Sequence, residues 1–157
     1  MRKLFLTLFY SGLSPKAPGT VGSFVALILG VLLLQVVHPS TLFLLSLLIT
    51  AIAIKQIDLY EEEVGAHDGK EIVIDELAGM WLTLSICVIT PENIYIIVPL
   101  AFVFFRLFDI WKPSVIGRID QKVKGGWGVM GDDLLAGVAA GIATSGTYYL
   151  IERFILS

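Results

Sequence analysis

The sequence predicts an all-α integral membrane protein: a helical bundle of two hairpins followed by a C-terminal helix. Hydrophobic residues make up 56% of the 157-residue chain, and the mean hydropathy is +0.84. Charged residues make up 16%, against about 25% in a typical soluble domain. At this length a single domain over residues 1–157 is the simplest organisation. A soluble domain with buried helical hairpins is the alternative, which the high hydropathy disfavours.

The N-terminal segment resembles the start of a signal peptide without its cleavage site. Arg2 and Lys3 precede the apolar stretch Leu4–Phe9, but the small-residue cleavage pattern does not follow. We interpret residues 4–14 as a short amphipathic or re-entrant helix at the membrane surface.

A first helical hairpin is predicted from a long uncharged stretch. Residues 17–54 contain no formally charged side chain, and the turn signal at residues 38–40 interrupts them. Each half is close to the length needed to cross a bilayer. We therefore expect one helix over about Val21–Val37 and a second over about Thr41–Leu59.

A second hairpin and a final helix follow. The apolar run Leu77–Ile89 is separated by a turn at residues 90–93 from the run Ile94–Trp111. A polar, glycine-rich loop is expected over Lys112–Gly131, and the last helix over Leu134–Ile151. That helix carries Gly137 and Gly141, at the spacing that allows close helix packing.

The distribution of basic residues predicts the orientation in the membrane. Ten of the eleven Lys and Arg residues fall within three segments, residues 2–16, 55–70 and 106–124, and the eleventh is Arg153 near the C-terminal end. The turns at residues 38–40 and 91–93 contain none. Basic segments favour the cytoplasmic side. Two hairpins place all three segments there together. The net charge of −3 gives no indication of nucleic-acid binding.

Carboxylates gather at the edges of the apolar runs, on this same side. They are Asp68, Asp75–Glu76, Asp109 and Asp132–Asp133. An acid beside hydrocarbon is costly and indicates a functional site, and converging carboxylates favour a hard cation such as Mg²⁺. Each cluster also has a simpler explanation, such as capping a helix or forming an ion pair within one.

Groups suited to a phosphate lie beside these acids. Residues 15–23 combine glycines and Lys16 with the hydroxyls of Thr20 and Ser23 before a predicted helix, where free N–H groups attract anions. An ordinary N-cap turn is the alternative. Arg106 and Lys112 flank the third acid cluster and are candidates for phosphate oxygens. Carboxylates and cations around one site suit metal-assisted phosphoryl chemistry.

These segments, in this order, resemble the phosphatidylglycerophosphatase A family from about Gly12 to Gly137. The matching motifs are Gly12 with residues 15–23, His67-Asp68 and Ile74-Asp75-Glu76 with Gly79-Met80-Trp81, Arg106 to Pro113, and Gly125-Gly126 with Asp132-Asp133 and Ala136-Gly137. The resemblance implies an all-helical, Mg²⁺-dependent phosphatase of the bacterial inner membrane. It would convert phosphatidylglycerophosphate to phosphatidylglycerol and inorganic phosphate at the cytoplasmic face.

The clusters and the resemblance together give a candidate set of site residues. The candidate catalytic acids are Asp75, Glu76, Asp109, Asp132 and Asp133. The candidate Mg²⁺ ligands are Asp68, Asp75, Glu76, Asp109 and Asp132. The candidate phosphate-binding residues are Lys16, Thr20, Ser23, Arg106 and Lys112. We expect a water activated by the metal to attack phosphorus, with attack by a carboxylate left open.

A non-enzymatic membrane protein that binds or transports a cation is the alternative function. A carrier would place its acids near the bilayer midplane, on broken helices. Here the acids lie at helix ends on one side, which favours the enzyme.

Overall fold

The computed structural model describes residues 1–65, 69–113 and 115–156 and contains no strand within them. The helices are α1 (Arg2–Leu6), α2 (Pro18–Leu33), α3 (Pro39–Val64), α4 (Ile74–Ile86), α5 (Ile94–Trp111), α6 (Val115–Lys122) and α7 (Gly126–Ile151). A 3₁₀ turn (Ser11–Leu13) and a terminal π-helical turn (Glu152–Leu156) complete them. The predicted all-α fold is confirmed.

Three of these helices are long and apolar enough to cross a membrane. They are α3, α5 and the stretch Gly126–Phe154, which contains α7. The 16 residues of α2 and the 13 of α4 rise only about 24 and about 20 Å, against about 30 Å of hydrocarbon. These two shorter helices therefore depend on the rest of the bundle for their place in the membrane.

Helix α4 is the centre of the bundle. It packs against α2, α3, α5 and α7, and most of its side chains are buried. Helices α2 and α3 are joined by a short turn, but both lie mainly against α4 instead of against each other. The two helices of the predicted first hairpin thus follow each other in the chain, but each packs mainly against the later helix α4.

Helices α4 and α7 approach closely because glycines face each other. A Cβ placed on Gly137 would lie 2.5 Å from the carbonyl oxygen of Gly79, and one on Gly79 would lie 2.6 Å from that of Asp133. The Thr83 hydroxyl also donates a hydrogen bond to the Gly137 carbonyl oxygen at 3.1 Å. The close packing predicted at Gly137 is confirmed, and it fixes the axial register of the two helices.

The N-terminal helix is shorter than predicted. Helix α1 ends at Leu6, whose carbonyl oxygen accepts a hydrogen bond from the Val73 N–H at 2.9 Å. Leu8, Phe9 and Tyr10 then adopt positive φ angles of 44°, 54° and 67°. The chain therefore leaves the helical conformation within residues 4–14, which were expected to form one helix. The hydrogen bond from Val73 connects the end of α1 to the segment before α4.

The first hairpin helices also differ from their predicted bounds. Helix α2 begins at Pro18, because proline fixes a helical φ at a first position, and it ends at Leu33. Helix α3 begins at Pro39, after His38 has capped it by accepting a hydrogen bond from the Ser40 N–H. It runs on to Val64, so charged residues near its end extend the helix instead of terminating it.

The segment Lys112–Gly131, expected to be a loop, is largely helical. It contains α6 and the start of α7, which begins at Gly126. The Gly126 N–H donates a hydrogen bond to Asp58 Oδ1 at 2.6 Å, and its Cα lies so close to the Ile54 carbonyl that a Cβ would clash. The start of α7 is therefore fixed by α3, through contacts that the local sequence does not reveal.

Candidate active site

One polar pocket brings together the carboxylates that the sequence singled out. Its volume is about 230 Å³ and it lies where α4 and α7 begin and α5 ends. The acids lining it are Asp75, Glu76, Asp109, Asp132 and Asp133. Lys70 and Lys112 line it too. We call this the acid pocket; it contains all five predicted catalytic acids.

The five acids lie at different positions on three helices. Asp75 and Glu76 lie in the first turn of α4, where the helix dipole favours negative charge. Asp109 lies in the last turn of α5. Asp132 and Asp133 lie inside α7, 4% and 3% exposed. Neither of these two caps the helix, because α7 begins several residues earlier, so the predicted delivery of this pair by a loop is wrong.

Three of the carboxylates form a cluster suited to a cation. Ligand oxygens of Asp75, Glu76 and Asp133 all lie within 4.8 Å of one another. Asp75 Oδ1, Glu76 Oε2 and Asp133 Oδ2 are buried and have no hydrogen-bond partner in the described part of the chain. Such oxygens are costly unless something compensates them. A site of carboxylate oxygens alone fits a hard divalent cation such as Mg²⁺.

The protonation of the α4 acids reflects this crowding. Both acids lie outside the three long apolar helices. Burial, followed by the charge of Glu76, raises the pKa of Asp75 well above its usual range. Burial raises the pKa of Glu76 to about 8, although its hydrogen bond with Asp75 acts in the opposite direction. A bound cation would favour the ionised carboxylates and displace these protons.

The other two acids of the pocket contact basic side chains. Asp109 forms an ion pair with Arg106, one turn before it on α5. Asp132 Oδ2 accepts a hydrogen bond from Lys112 Nζ at 2.6 Å. These two acids, predicted as metal ligands, are therefore engaged with cations of the protein.

The cluster thus shares Asp75 and Glu76 with the predicted ligand set, adds Asp133 and lacks Asp109 and Asp132. Asp133 was predicted to be catalytic without being a ligand, and the structure places it with Asp75 and Glu76. The predicted ligand Asp68 lies outside the described residues.

The predicted phosphate-binding residues do not all reach the acid pocket. Lys112 lines it. Arg106 forms an ion pair with Asp109, which lines the pocket. Arg106 Nη1 also donates a hydrogen bond to the hydroxyl oxygen of Ser23 at 3.2 Å. Ser23 therefore holds the arginine. Thr20 lines a separate groove, and Lys16 is exposed in the loop before α2.

Two residues of the pocket region were not predicted from the sequence. Lys70 lines the acid pocket, whereas its place in the sequence indicated only the orientation in the membrane. Its position five residues before the acid pair of α4 was the available signal. Gly19 lies so close to Glu76 that a Cβ there would clash with the Glu76 carboxylate oxygen. No local pattern separates this glycine from others in the same motif.

Fold and pocket define a class of protein: a helical membrane protein whose buried acids and adjacent lysines suit metal-assisted phosphate chemistry. The chain belongs to the phosphatidylglycerophosphatase A family, whose pattern it matches over residues 4–148. No solved structure matches it.

Three curated relatives are similar over most of the chain. Phosphatidylglycerophosphatase A of Escherichia coli is 40% identical over 136 residues, or 85% of this chain and 76% of that protein. The Haemophilus influenzae protein of the same name is 35% identical over 141 residues, or 90% and 85%. A Bacteroides thetaiotaomicron protein, named provisionally as a phosphatidylinositol-3-phosphatase, is 39% identical over 137 residues, or 84% of each chain.

Family membership confirms the predicted class. The protein is an enzyme, a membrane-associated phosphatase, and its substrate is a lipid. The alternative of a non-enzymatic cation carrier is therefore not its class.

Proposed function

We propose that this protein hydrolyses phosphatidylglycerophosphate to phosphatidylglycerol and inorganic phosphate with Mg²⁺, at the cytoplasmic face of the bacterial inner membrane. One observation carries the chemistry: three buried, unpartnered carboxylate oxygens converge beside two lysines. The names of the two phosphatidylglycerophosphatase relatives support the substrate.

Asp75, Glu76 and Asp133 would hold the cation. When bound, Mg²⁺ would neutralise phosphate charge and favour attack by water. These carboxylates are placed by two packed helices instead of by loops. Their separation is therefore set by helix packing, which keeps the site preorganised.

The lysines of the pocket would bind the terminal phosphate. Lys112 is oriented by its hydrogen bond with Asp132, so less side-chain entropy is lost when a phosphate oxygen binds. Lys70 brings a second positive charge to the same pocket. Together they counter the charge that builds up on the phosphoryl oxygens during hydrolysis.

The orientation follows from the positions of the basic residues. Lys70 and Lys112, from two of the three basic segments, line the acid pocket, and Arg2 of the third forms an ion pair with Glu63 near the end of α3. Basic segments are retained on the cytoplasmic side. A phospholipid headgroup in the inner leaflet would therefore meet the pocket at the membrane edge.

The test measures phosphate release from phosphatidylglycerophosphate by purified protein in detergent, with Mg²⁺ or with EDTA. We expect release with Mg²⁺ and almost none with EDTA. Asp75→Asn, which keeps the side-chain volume, should abolish release while the protein still elutes as a folded species. Equal release with Mg²⁺ and EDTA would refute the metal requirement.

A second headgroup is favoured by one observation, the name of the Bacteroides thetaiotaomicron relative. The same assay with phosphatidylinositol 3-phosphate decides between the two lipids. A higher kcat/KM for the inositol lipid would replace the proposed substrate while leaving the proposed site and metal in place.

A further inference from the structure

A second concavity opens beside the acid pocket, on the side of the bundle formed by α2 and α5. Its volume is about 410 Å³. It is lined by Thr20 of α2 and by Phe102, Val103, Arg106, Leu107, Ile110 and Trp111 of α5. We call it the α2–α5 groove. Apart from Thr20 and Arg106, its lining is apolar.

The apolar lining faces outwards along one stripe of α5. Val103, Leu107 and Ile110 are 58%, 46% and 70% exposed, and their spacing places them on one helix face. Helix α5 is one of the three that can span a membrane. The groove therefore opens towards the acyl chains of the bilayer, and it extends over about 12 Å of the helix axis from Val103 to Trp111.

The groove is bounded at one end by two aromatic rings. Phe24 of α2 contacts Phe102 edge to face, with ring centroids 6.0 Å apart. This contact lies at the end of the groove away from Trp111. It joins α2 to α5 there, so the concavity is a feature of both helices and differs from the convex lipid-facing surface of a single helix.

The polar residues of the groove connect it to the acid pocket. Arg106 forms its ion pair with Asp109, which itself lines the acid pocket. The backbone at Gly19 separates the two spaces: a Cβ there would lie 3.5 Å from Arg106 Nη1 and would clash with the Glu76 carboxylate. A molecule in the groove is thus separated from the acid pocket by one ion pair and a glycine.

We propose that the α2–α5 groove binds an acyl chain and the adjoining glycerol ester of the lipid substrate, which enters sideways from the bilayer. The occupant matches the groove chemically. Its hydrocarbon fits the stripe of Val103 and Leu107, and its ester and phosphodiester oxygens fit the donors of Thr20 and Arg106. The terminal phosphate then reaches the acid pocket. This assignment rests on the proposed function.

The first test fills the groove. Leu107→Trp, in full-length protein, should lower the preference for diacyl phosphatidylglycerophosphate over its deacylated, water-soluble headgroup about tenfold in kcat/KM. The matched control is Ile142→Trp, because Ile142 is 64% exposed on α7 and lies outside the groove. It should leave the ratio unchanged. An unchanged ratio in Leu107→Trp, or an equal loss for both substrates, would overturn the proposal.

The second test measures binding and does not depend on turnover. Trp111 is 71% exposed at the mouth of the groove. The protein is placed in detergent micelles with EDTA, which prevents turnover, and a lipid brominated in one acyl chain is added at a few per cent of the detergent. Brominated phosphatidylglycerophosphate should quench the Trp111 fluorescence more than brominated phosphatidylcholine does. Trp111→Phe identifies the Trp111 component. Equal quenching by the two lipids would overturn the groove assignment. Absence of phosphate release in the assay with Mg²⁺ or EDTA would count against the proposed function alone.

Discussion

Asp132 and Asp133 are neighbours in the sequence, but they have different surroundings in the fold. Asp133 lies with Asp75 and Glu76 in the carboxylate cluster, whereas Asp132 contacts Lys112. Adjacent residues on a helix do not face each other, so the two carboxylates reach different parts of one pocket. We therefore expect the two carboxylates to have different roles.

The two roles predict different kinetic effects. Asp133→Asn should weaken binding of the Mg²⁺ that would stabilise the developing charge, so it should lower kcat by about 100-fold or more and raise the Mg²⁺ concentration needed for half activity. Asp132→Asn should mainly raise KM, because Lys112 loses the partner that orients it. Titrating Mg²⁺ for both variants measures the difference. Identical shifts in the two Mg²⁺ curves would contradict the assignment.

Gly19 allows a test of geometry without loss of a functional group. Gly19→Ala places a methyl group against the Glu76 carboxylate, so we expect a fall in kcat of roughly tenfold or more. The folded state should not suffer from the change itself, since alanine favours helix by about 0.5–1 kcal/mol. Gly146→Ala is the control, because no atom lies within 4 Å of its Cβ position. Full activity in Gly19→Ala would contradict the close approach.

The acids could be identified from the sequence, but the contact of Asp132 with Lys112 could not. Clustering at the edges of apolar runs indicated all five carboxylates of the pocket. Which of them meets a lysine depends on where α7 begins. Its start at Gly126 is set by Asp58, 68 residues away in the chain. No local pattern around Asp132 contains that information.

Among the helices, α7 depends on another element for its first turn. Asp58 of α3 accepts the Gly126 N–H, one of the N–H groups that a helix start leaves without a partner. Its carboxylate is also favourably placed for the helix dipole. The cap thus joins two helices that can cross the membrane.

Removing this cap should destabilise the protein. Asp58→Ala should cost about 1 kcal/mol of the free energy of unfolding, measured as a lower thermal unfolding midpoint in detergent. Asp58→Asn keeps an acceptor oxygen and should lose less. If both variants unfold at the wild-type temperature, the hydrogen bond to Gly126 contributes nothing to stability.

The existence of the long helices was predictable, but their bounds were not. Hydropathy alone identified α3, α5 and α7, because a span requires about 20 apolar residues. Helix α2 begins at Pro18, where a start at about Val21 was predicted, and α3 ends at Val64, beyond the predicted end at about Leu59. Helix starts depend on proline and capping contacts more than on hydropathy, and the earlier start places Gly19 and Thr20 inside α2.

Across the whole molecule, the helices alternate in direction from the side of the acid pocket. With α2 to α5 and α7 each passing once through the bundle, the two ends of this chain lie on opposite sides. We expect the N-terminal end in the cytoplasm and the C-terminal end outside it. A C-terminal alkaline phosphatase fusion should be active and a C-terminal green fluorescent protein fusion dark. The reverse pattern would contradict the proposed orientation.

The packing of the bundle was the least predictable feature. Hydropathy suggested pairs of helices joined by turns, yet α4 separates α2 from α3. A hydrophobic run does not indicate which helix it will contact. The arrangement depends on small-residue contacts such as that of Gly79 with Gly137, which are visible in the sequence only as spacings.

The shortness of α4 has a consequence for biosynthesis. A helix of 13 residues with two acids in its first turn is a weak signal for insertion into a membrane. Its place therefore depends on neighbours that are translated before and after it. Because Asp133 is supplied by α7, the carboxylate cluster is incomplete until that helix has docked. A nascent chain would therefore leave the lipids around it intact until nearly the whole polypeptide has been made.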